Sequence, residues 1–169
     1  FTCRRPKEMY KKIVFMDIDM VILDNTFRLS KSILPNKKID YDFFFTKEMR
    51  RTYKVIRGAL KGLNIIRKKY KICFLTSRPI KTSSFTYECL KTKKLITKTE
   101  NIKFVSNRLK KIGVLKRWKK KTFIFVDDLK YNYQSGEAQD DIELIGKLKK
   151  NDIKYHKFES WRELIKTYF

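Results

Sequence analysis

Apolar residues in this chain follow two periods. Short apolar runs bounded by polar residues alternate with longer stretches in which apolar positions recur every three or four residues. The runs fall at about Lys12 to Asp17, Lys71 to Thr76, Ile102 to Val105, Thr122 to Val126 and Ile153 to Phe158. They are rich in β-branched and aromatic residues and predict buried strands. Between them, Val55, Ile56, Ala59, Leu60, Leu63 and Ile66 predict a helix starting near Arg50, weakened at Gly58 and Gly62. Phe85, Cys89 and Leu90 give the inner face of a helix over Thr82 to Lys94, capped by Thr82 or Ser83. Ile112, Leu115 and Trp118 do the same for Leu109 to Trp118, which Lys119 to Lys121 close with positive charge. Ile142, Ile145 and Leu148 mark a helix over Asp140 to Lys150, and Trp161 to Tyr168 a last one. This alternation predicts an α/β fold, a Rossmann-like, doubly wound, parallel five-stranded sheet with helices on both faces.

One stretch breaks the alternation. Val21 to Phe27 is apolar but interrupted by Asp24-Asn25, which predicts a tight turn or small hairpin. Ser30 to Asp42 is polar, contains Pro35 and reads as a loop. Tyr41 to Phe45 is strongly aromatic, and its rings either pack onto the domain, the commoner use, or form a lip over a site. The chain therefore reads as a basic lead-in over residues 1–11 and a single domain over 12–169, with a small hairpin and loop insert at about 21–57.

Three of the strands end in polar groups: Asp17 and Asp19, Thr76 and Ser77, Asp127 and Asp128. The carboxyl ends of parallel strands share one edge, the usual ligand crevice of an open α/β sheet. Side chains two apart on an extended backbone point the same way, so Asp17 and Asp19 face one spot. Four carboxylates converging there repel one another; a bound cation relieves this, and an all-oxygen site suits Mg²⁺.

In this order the motifs resemble the haloacid dehalogenase-like (HAD) superfamily of phosphohydrolases. The first, an apolar strand followed by Asp-x-Asp-x-Thr/Val, is similar to Asp17-Ile18-Asp19-Met20-Val21. The second, an apolar strand ending in Thr or Ser, is similar to Ile72-Cys73-Phe74-Leu75-Thr76. The fourth, a strand ending in paired acids, is similar to Phe123-Ile124-Phe125-Val126-Asp127-Asp128. Arg57-Gly58-Ala59-Leu60 resembles the family's Gly-opened helix. The third motif is a single Lys, for which Lys111 fits best by position, with Lys110 next and Lys103 behind it. The resemblance covers roughly Lys12 to Phe158.

It implies a nucleophilic Asp17 that forms an aspartyl-phosphate, and Asp19 as proton donor and acceptor. It also implies Mg²⁺ held by Asp17, the backbone carbonyl of Asp19, and Asp128. Asp127 would support the site, Thr76 would hold a phosphoryl oxygen with Ser77 and Arg78 nearby, and Lys111 would balance charge. Met20 and Val21 depart from the commoner residues, Met20 by bulk and Val21 by the loss of a hydroxyl. The short insert leaves room for only a small cap or none. An open site suits phosphate carried on a large partner, such as a nucleic-acid end or a protein side chain.

Charge narrows the partner. The 169 residues carry a formal net charge of +24, and from Arg50 through Lys121 the only acids are Glu88 and Glu100. Such a field attracts polyanions, although a Lys-rich coding bias would produce it too. Two functions follow: a Mg²⁺-dependent phosphatase with a nucleic-acid-linked or other large substrate, and a catalytically vestigial fold recruited as a basic RNA-binding component of a ribonucleoprotein assembly such as a mitochondrial ribosome. The apolar fraction of 42% argues against disorder. Cys3, Cys73 and Cys89 lack metal-type spacing and fit a reducing compartment, cytoplasmic or organellar. No stretch has the length of a membrane span. His156 reads as a packing residue. Tyr131-Asn132-Tyr133 can line the crevice mouth or cap the loop, and the loop role is favoured.

Overall fold

The computed structural model describes residues 11–46, 52–131, 133 and 138–169. The lead-in over residues 1–10 with Cys3, the expected helix start at Arg50, and Asn132 lie outside them. The sheet has five parallel strands: β1 (Ile13–Met16), β4 (Lys71–Thr76), β5 (Asn101–Phe104), β6 (Thr122–Asp127) and β9 (Tyr155–Lys157). Their spatial order is β5-β4-β1-β6-β9, and the short strands β7 (Lys130–Tyr131) and β8 (Gln139–Asp140) pair antiparallel outside this sheet. The chain winds outward from β1 to β5, returns to β6 and winds out again to β9. The direction reverses between β1 and β6, so the carboxyl end of β1 is the topological switch point.

Alternation along the strands divides the core in two. Val14, Met16, Ile72, Phe74, Ile124 and Val126 face one layer, built from α3 (Ala59–Arg67), α4 (Ser83–Thr92) and α7 (Trp161–Tyr168). Phe15, Cys73, Leu75 and Phe125 face the other, with α5 (Lys111–Trp118) and α6 (Ile142–Lys150). The predicted doubly wound α/β fold is therefore the observed one. Cys73 and Cys89 are free and buried within this core.

The sequence-based expectations miss at element ends. The helix expected from Arg50 begins at Ala59, and Lys54–Val55 form a strand, β3, paired antiparallel with β2 (Leu23–Asp24). Gly58 adopts φ +89°, a left-handed conformation that turns the chain into α3 at little cost only for glycine. Gly62 lets the same helix touch α7: a Cβ there would fall 2.0 Å from Trp161 Cε3. In α6, Ile142 is 78% exposed, and Leu144 takes the inward position with Leu148. Asp141 starts that helix by accepting the Leu144 N–H at 3.0 Å, which turns Ile142 outward.

The insert between β2 and β3 is more ordered than its composition suggested. Asn25 precedes a helix, α1 (Thr26–Ser32), so the predicted turn and the start of the predicted loop are helical. An isolated bridge joins Ile33 to Ile39, and Asp40 caps α2 (Tyr41–Phe44) by accepting the Phe43 N–H. Among the described residues no helix is long and apolar enough to cross a membrane.

Candidate active site

Register brings the strand ends level. Met16 lies beside Val126 and Phe74, so Asp17 follows at the height of Asp127. The Asp17 N–H donates to the Val126 carbonyl at 2.9 Å and fixes it there. Lys111, the first residue of α5, is buried and ties the two acids together, with its Nζ 3.0 Å from Asp17 Oδ2 and 2.8 Å from Asp127 Oδ2. Lys110 is exposed, and Lys103 lies 5.5 Å from the centre of the Trp118 ring, so neither holds this position.

The acids divide by partner. Both Asp127 oxygens are engaged: Oδ2 takes Lys111 and Oδ1 accepts the Leu129 N–H at 2.8 Å. Asp128 is buried, and its Oδ2 has no hydrogen-bond partner. Carboxylate oxygens of Asp17, Asp127 and Asp128 lie within 4.8 Å of one another. Burial, opposed by Lys111 and reinforced by Asp127 and Asp19, pushes Asp17 up to about 7. Burial, then Asp127 and Asp17, push Asp128 up to about 9. An orphaned carboxylate oxygen beside two further acids, all oxygen donors, fits a hard divalent cation, and Asp17 and Asp128 are the pair with capacity left to bind one.

Asp19 belongs to a different set. Its carboxylate accepts from Arg78 Nε at 2.9 Å, from a second Arg78 nitrogen, and from Asn25 Nδ2. Burial raises its pKa, but the Arg78 guanidinium outweighs this and holds it below the usual carboxylate value. The Asp19 carboxylate thus stands apart from the cation-type cluster. Arg78 is itself buried, with its guanidinium over the Tyr53 and Phe45 rings at 5.1 and 5.7 Å. Thr76 is fully buried, and its Oγ1 accepts the Arg78 N–H at 3.2 Å. Ser77 lines the cavity, as does Ser106, whereas Thr76 is not among its lining residues.

The cavity above these groups measures about 400 Å³. Asp17, Asp19, Asp127, Asp128, Lys111 and Arg78 form its polar part, with Met20 among the lining residues at φ +60°. The Val21 side chain is in the core instead, and its carbonyl accepts the Trp161 indole N–H at 2.9 Å. Tyr41, Phe44 and Phe45 form one wall. Tyr131 and Tyr133 also line the cavity, which corrects the loop-capping role expected for them. Asn25 and Arg108 were not foreseen. Asn25 lay in a presumed turn, and Arg108 stood among many basic residues without a distinguishing signal. His156 lies away from this cavity, with Nε2 2.8 Å from Glu163 Oε2 and its ring edge-on to Tyr168.

Comparison with known proteins supports the fold. No family model matches the chain, and neither does any curated protein sequence. Solved structures do match. A haloacid dehalogenase-like family hydrolase from Streptococcus pneumoniae superposes with a TM-score of 0.59 at 11% identity, over 95% of this chain and 99% of that one. A HAD-superfamily hydrolase, subfamily IA, from Geobacter sulfurreducens gives 0.57 at 14% identity, over 94% and 96%. One from Ehrlichia chaffeensis gives 0.55 at 11%, over 95% and 97%.

Proposed function

We propose that this HAD-like fold carries a working phosphohydrolase, dependent on Mg²⁺, that acts through an aspartyl-phosphate on Asp17. The observation that supports it most is the buried trio Asp17, Asp127 and Asp128, joined by Lys111 at the switch point, with one Asp128 oxygen unpartnered. Asp17 and Asp128 would hold the cation, which when bound neutralises charge on the nucleophile and the phosphate.

The protein's own groups divide the remaining work. Asp17 attacks phosphorus through its carboxylate, and the ester oxygen leaves. Lys111 stays on the nucleophile side and offsets charge in the transition state. Ser77 and the Arg78 guanidinium receive phosphoryl oxygens. Thr76 sets the turn that places Arg78, through the bond to its N–H. Asp19, ionised while Arg78 holds it, takes up a proton from solvent when Arg78 turns toward the phosphate, passes it to the leaving oxygen, and then takes one from the water that cleaves the aspartyl-phosphate. The large positive charge favours a phosphate borne by a polyanion such as nucleic acid. The test is hydrolysis of a generic aryl phosphate and of phosphorylated oligonucleotides with Mg²⁺, for the chain and its Asp17→Asn variant. Turnover that survives Asp17→Asn, or none with any substrate, refutes the reading.

A second reading has its own support. Lys and Arg between residues 54 and 121 are mostly exposed, while Glu100 is buried against Arg67 at 2.8 Å. A basic surface of this kind suits RNA phosphate contacts within a ribonucleoprotein assembly. In that role affinity for RNA falls steeply with salt and is indifferent to Asp17→Asn. Negligible binding at low salt refutes it.

A further inference from the structure

The insert between β2 and β3 contributes a wall to the cavity that the hydrolytic chemistry does not use. Beside Asn25, Leu29 and Ile39, its residues there are the aromatic Tyr41, Phe44 and Phe45. Packing accounts for Phe44, which is buried, and for Phe45, which meets Phe85 edge-on at 6.1 Å. Tyr41 packs edge-on to Phe44 and near-parallel to Phe45 at 15°, yet stays 52% exposed. A large ring left half in water, at a cavity lined by a nucleophile, is placed to contact something else.

The wall is braced from behind. Arg28 is 0% exposed, and its three guanidinium nitrogens have no hydrogen-bond partner. Its charge lies over Phe44 at 4.4 Å and over Tyr53 at 3.6 Å. A cation behind an aromatic ring draws electron density from the opposite face, which favours stacking of an electron-rich ring there. Of the cavity-lining rings, Phe45 shares this cation at 5.9 Å and has Arg78 at 5.7 Å, so the wall presents electron-poor rings to the cavity.

The cavity is at the small end of ligand pockets, which run from ~300 to 1,000 Å³, and its volume of about 400 Å³ admits one nucleotide-sized unit. Beyond Asp128 a second space of about 310 Å³ shares Met20, Asp128, Lys130 and Tyr133 with it and adds Lys157, Phe158 and Glu159. One side of the phosphate position is aromatic, and the other carries both charges, with Lys130 and Lys157 beside Asp128 and Glu159.

We infer that the phosphate ester hydrolysed here carries a nucleoside, whose base stacks on Tyr41 and Phe45 while the phosphate sits at Asp17. This rests on the phosphohydrolase reading above. The net charge of +24 favours a nucleoside over the other common aromatic phosphate, a phosphotyrosine peptide. A free nucleotide and the unpaired end of a strand share this chemistry, and the experiment tells them apart.

The test compares kcat/KM, with Mg²⁺, for adenosine 5′- and 3′-monophosphates, ribose 5-phosphate, a short single strand ending in the same phosphorylated nucleotide, and a phosphotyrosine peptide. A stacked base should favour nucleotides over ribose 5-phosphate by roughly ten- to a hundredfold. Tyr41→Ala and Tyr41→Leu should each cut that ratio about tenfold, and Tyr41→Phe should keep it. A ratio near one, a ratio unmoved by Tyr41→Ala and Tyr41→Leu, or preference for the peptide overturns the inference. A further gain for the strand over the mononucleotide identifies the polymer as the source; no gain identifies the free nucleotide. Equilibrium binding of adenosine 5′-monophosphate and ribose 5-phosphate to the Asp17→Asn variant reads the same ratio without turnover. Retained base preference without hydrolysis by the unsubstituted chain sinks the activity alone, and equal affinities sink the stacking subsite.

Discussion

In chelator this protein should become less stable as pH rises, and adding a divalent cation should erase the effect. The cause is the pair Asp17 and Asp128, pushed from 3.8 to about 7 and about 9 by burial and by neighbouring acids. In the unfolded chain both lose their protons near their ordinary values, whereas in the folded, metal-free protein they keep them to higher pH. The folded state then binds more protons, so its stability is full below about pH 4 and declines through the raised values. At about 1.4 kcal/mol per pH unit, ionising Asp17 alone costs about 4 kcal/mol. Asp128 faces the same neighbours, so the two costs are shared rather than summed. With about 2–4 °C of Tm per kcal/mol at this size, a chelated sample should lose about 10 °C between about pH 5 and pH 8.5. Thermal denaturation with chelator and with millimolar Mg²⁺ measures it. Mg²⁺ should restore Tm at the alkaline end and do little at the acidic end, where protons occupy the carboxylates. Asp128→Asn should raise the metal-free Tm at the alkaline end and remove most of the response to Mg²⁺. A flat profile in chelator, or a Mg²⁺ response that survives Asp128→Asn, would refute the reasoning.

Lys111→Met should cut aryl phosphate turnover by at least a hundredfold and destabilise the protein by about 3–5 kcal/mol, since Asp17 and Asp127 lose their shared cation. Steady-state kinetics and denaturant titration check the two halves. Gly62→Ala should destabilise by about 1–3 kcal/mol because its methyl group meets Trp161, whereas Gly113→Ala, with nothing within 4 Å, should stabilise by up to about 1 kcal/mol. Chemical denaturation of the pair gives opposite signs if the α3–α7 contact is as close as described. Glu100→Gln should cost about 3 kcal/mol, because Glu100 accepts from Arg67 Nε and a second Arg67 nitrogen and from the Thr97 N–H. A loss below about 0.5 kcal/mol would mean the pair is worth no more than an exposed one.

The fold was legible because each strand announced itself by the same physics. Lys71–Thr76 is observed over the residues predicted for it, and so is the last helix, Trp161–Tyr168. The acidic site was legible because parallel strands share an edge, so sequence-distant Asp17 and Asp127 had to be close. What was not legible depends on tertiary partners. Nothing in the local pattern says that Asp19 is taken by Arg78 and Asn25, or that both Asp127 oxygens are hydrogen-bonded while one Asp128 oxygen is not. Ile142 fitted the helical period, yet the Asp141 cap rotates it into water. The insert misled because Ser30 and Ser32 looked like loop residues, and because nothing near Arg28 signals that aromatic side chains from three separate segments close over it.

The charge of the site runs against the charge of the protein, and the contrast bears on how a phosphate could enter. Fully ionised, Asp17, Asp19, Asp127 and Asp128 outnumber the cations Lys111 and Arg78 by two, which leaves two negative charges at the place where a phosphate dianion would sit. That arrangement alone repels the substrate. The positive surface acts at longer range and raises the local concentration of polyanions, but salt screens it beyond about 8–10 Å. Neither field replaces the other. On the proposed reading, surface charge governs arrival, and a divalent cation held by Asp17 and Asp128 would govern occupancy. Added salt should therefore slow capture of a phosphorylated oligonucleotide while leaving kcat for a small aryl phosphate nearly unchanged. Chelation should abolish turnover of both.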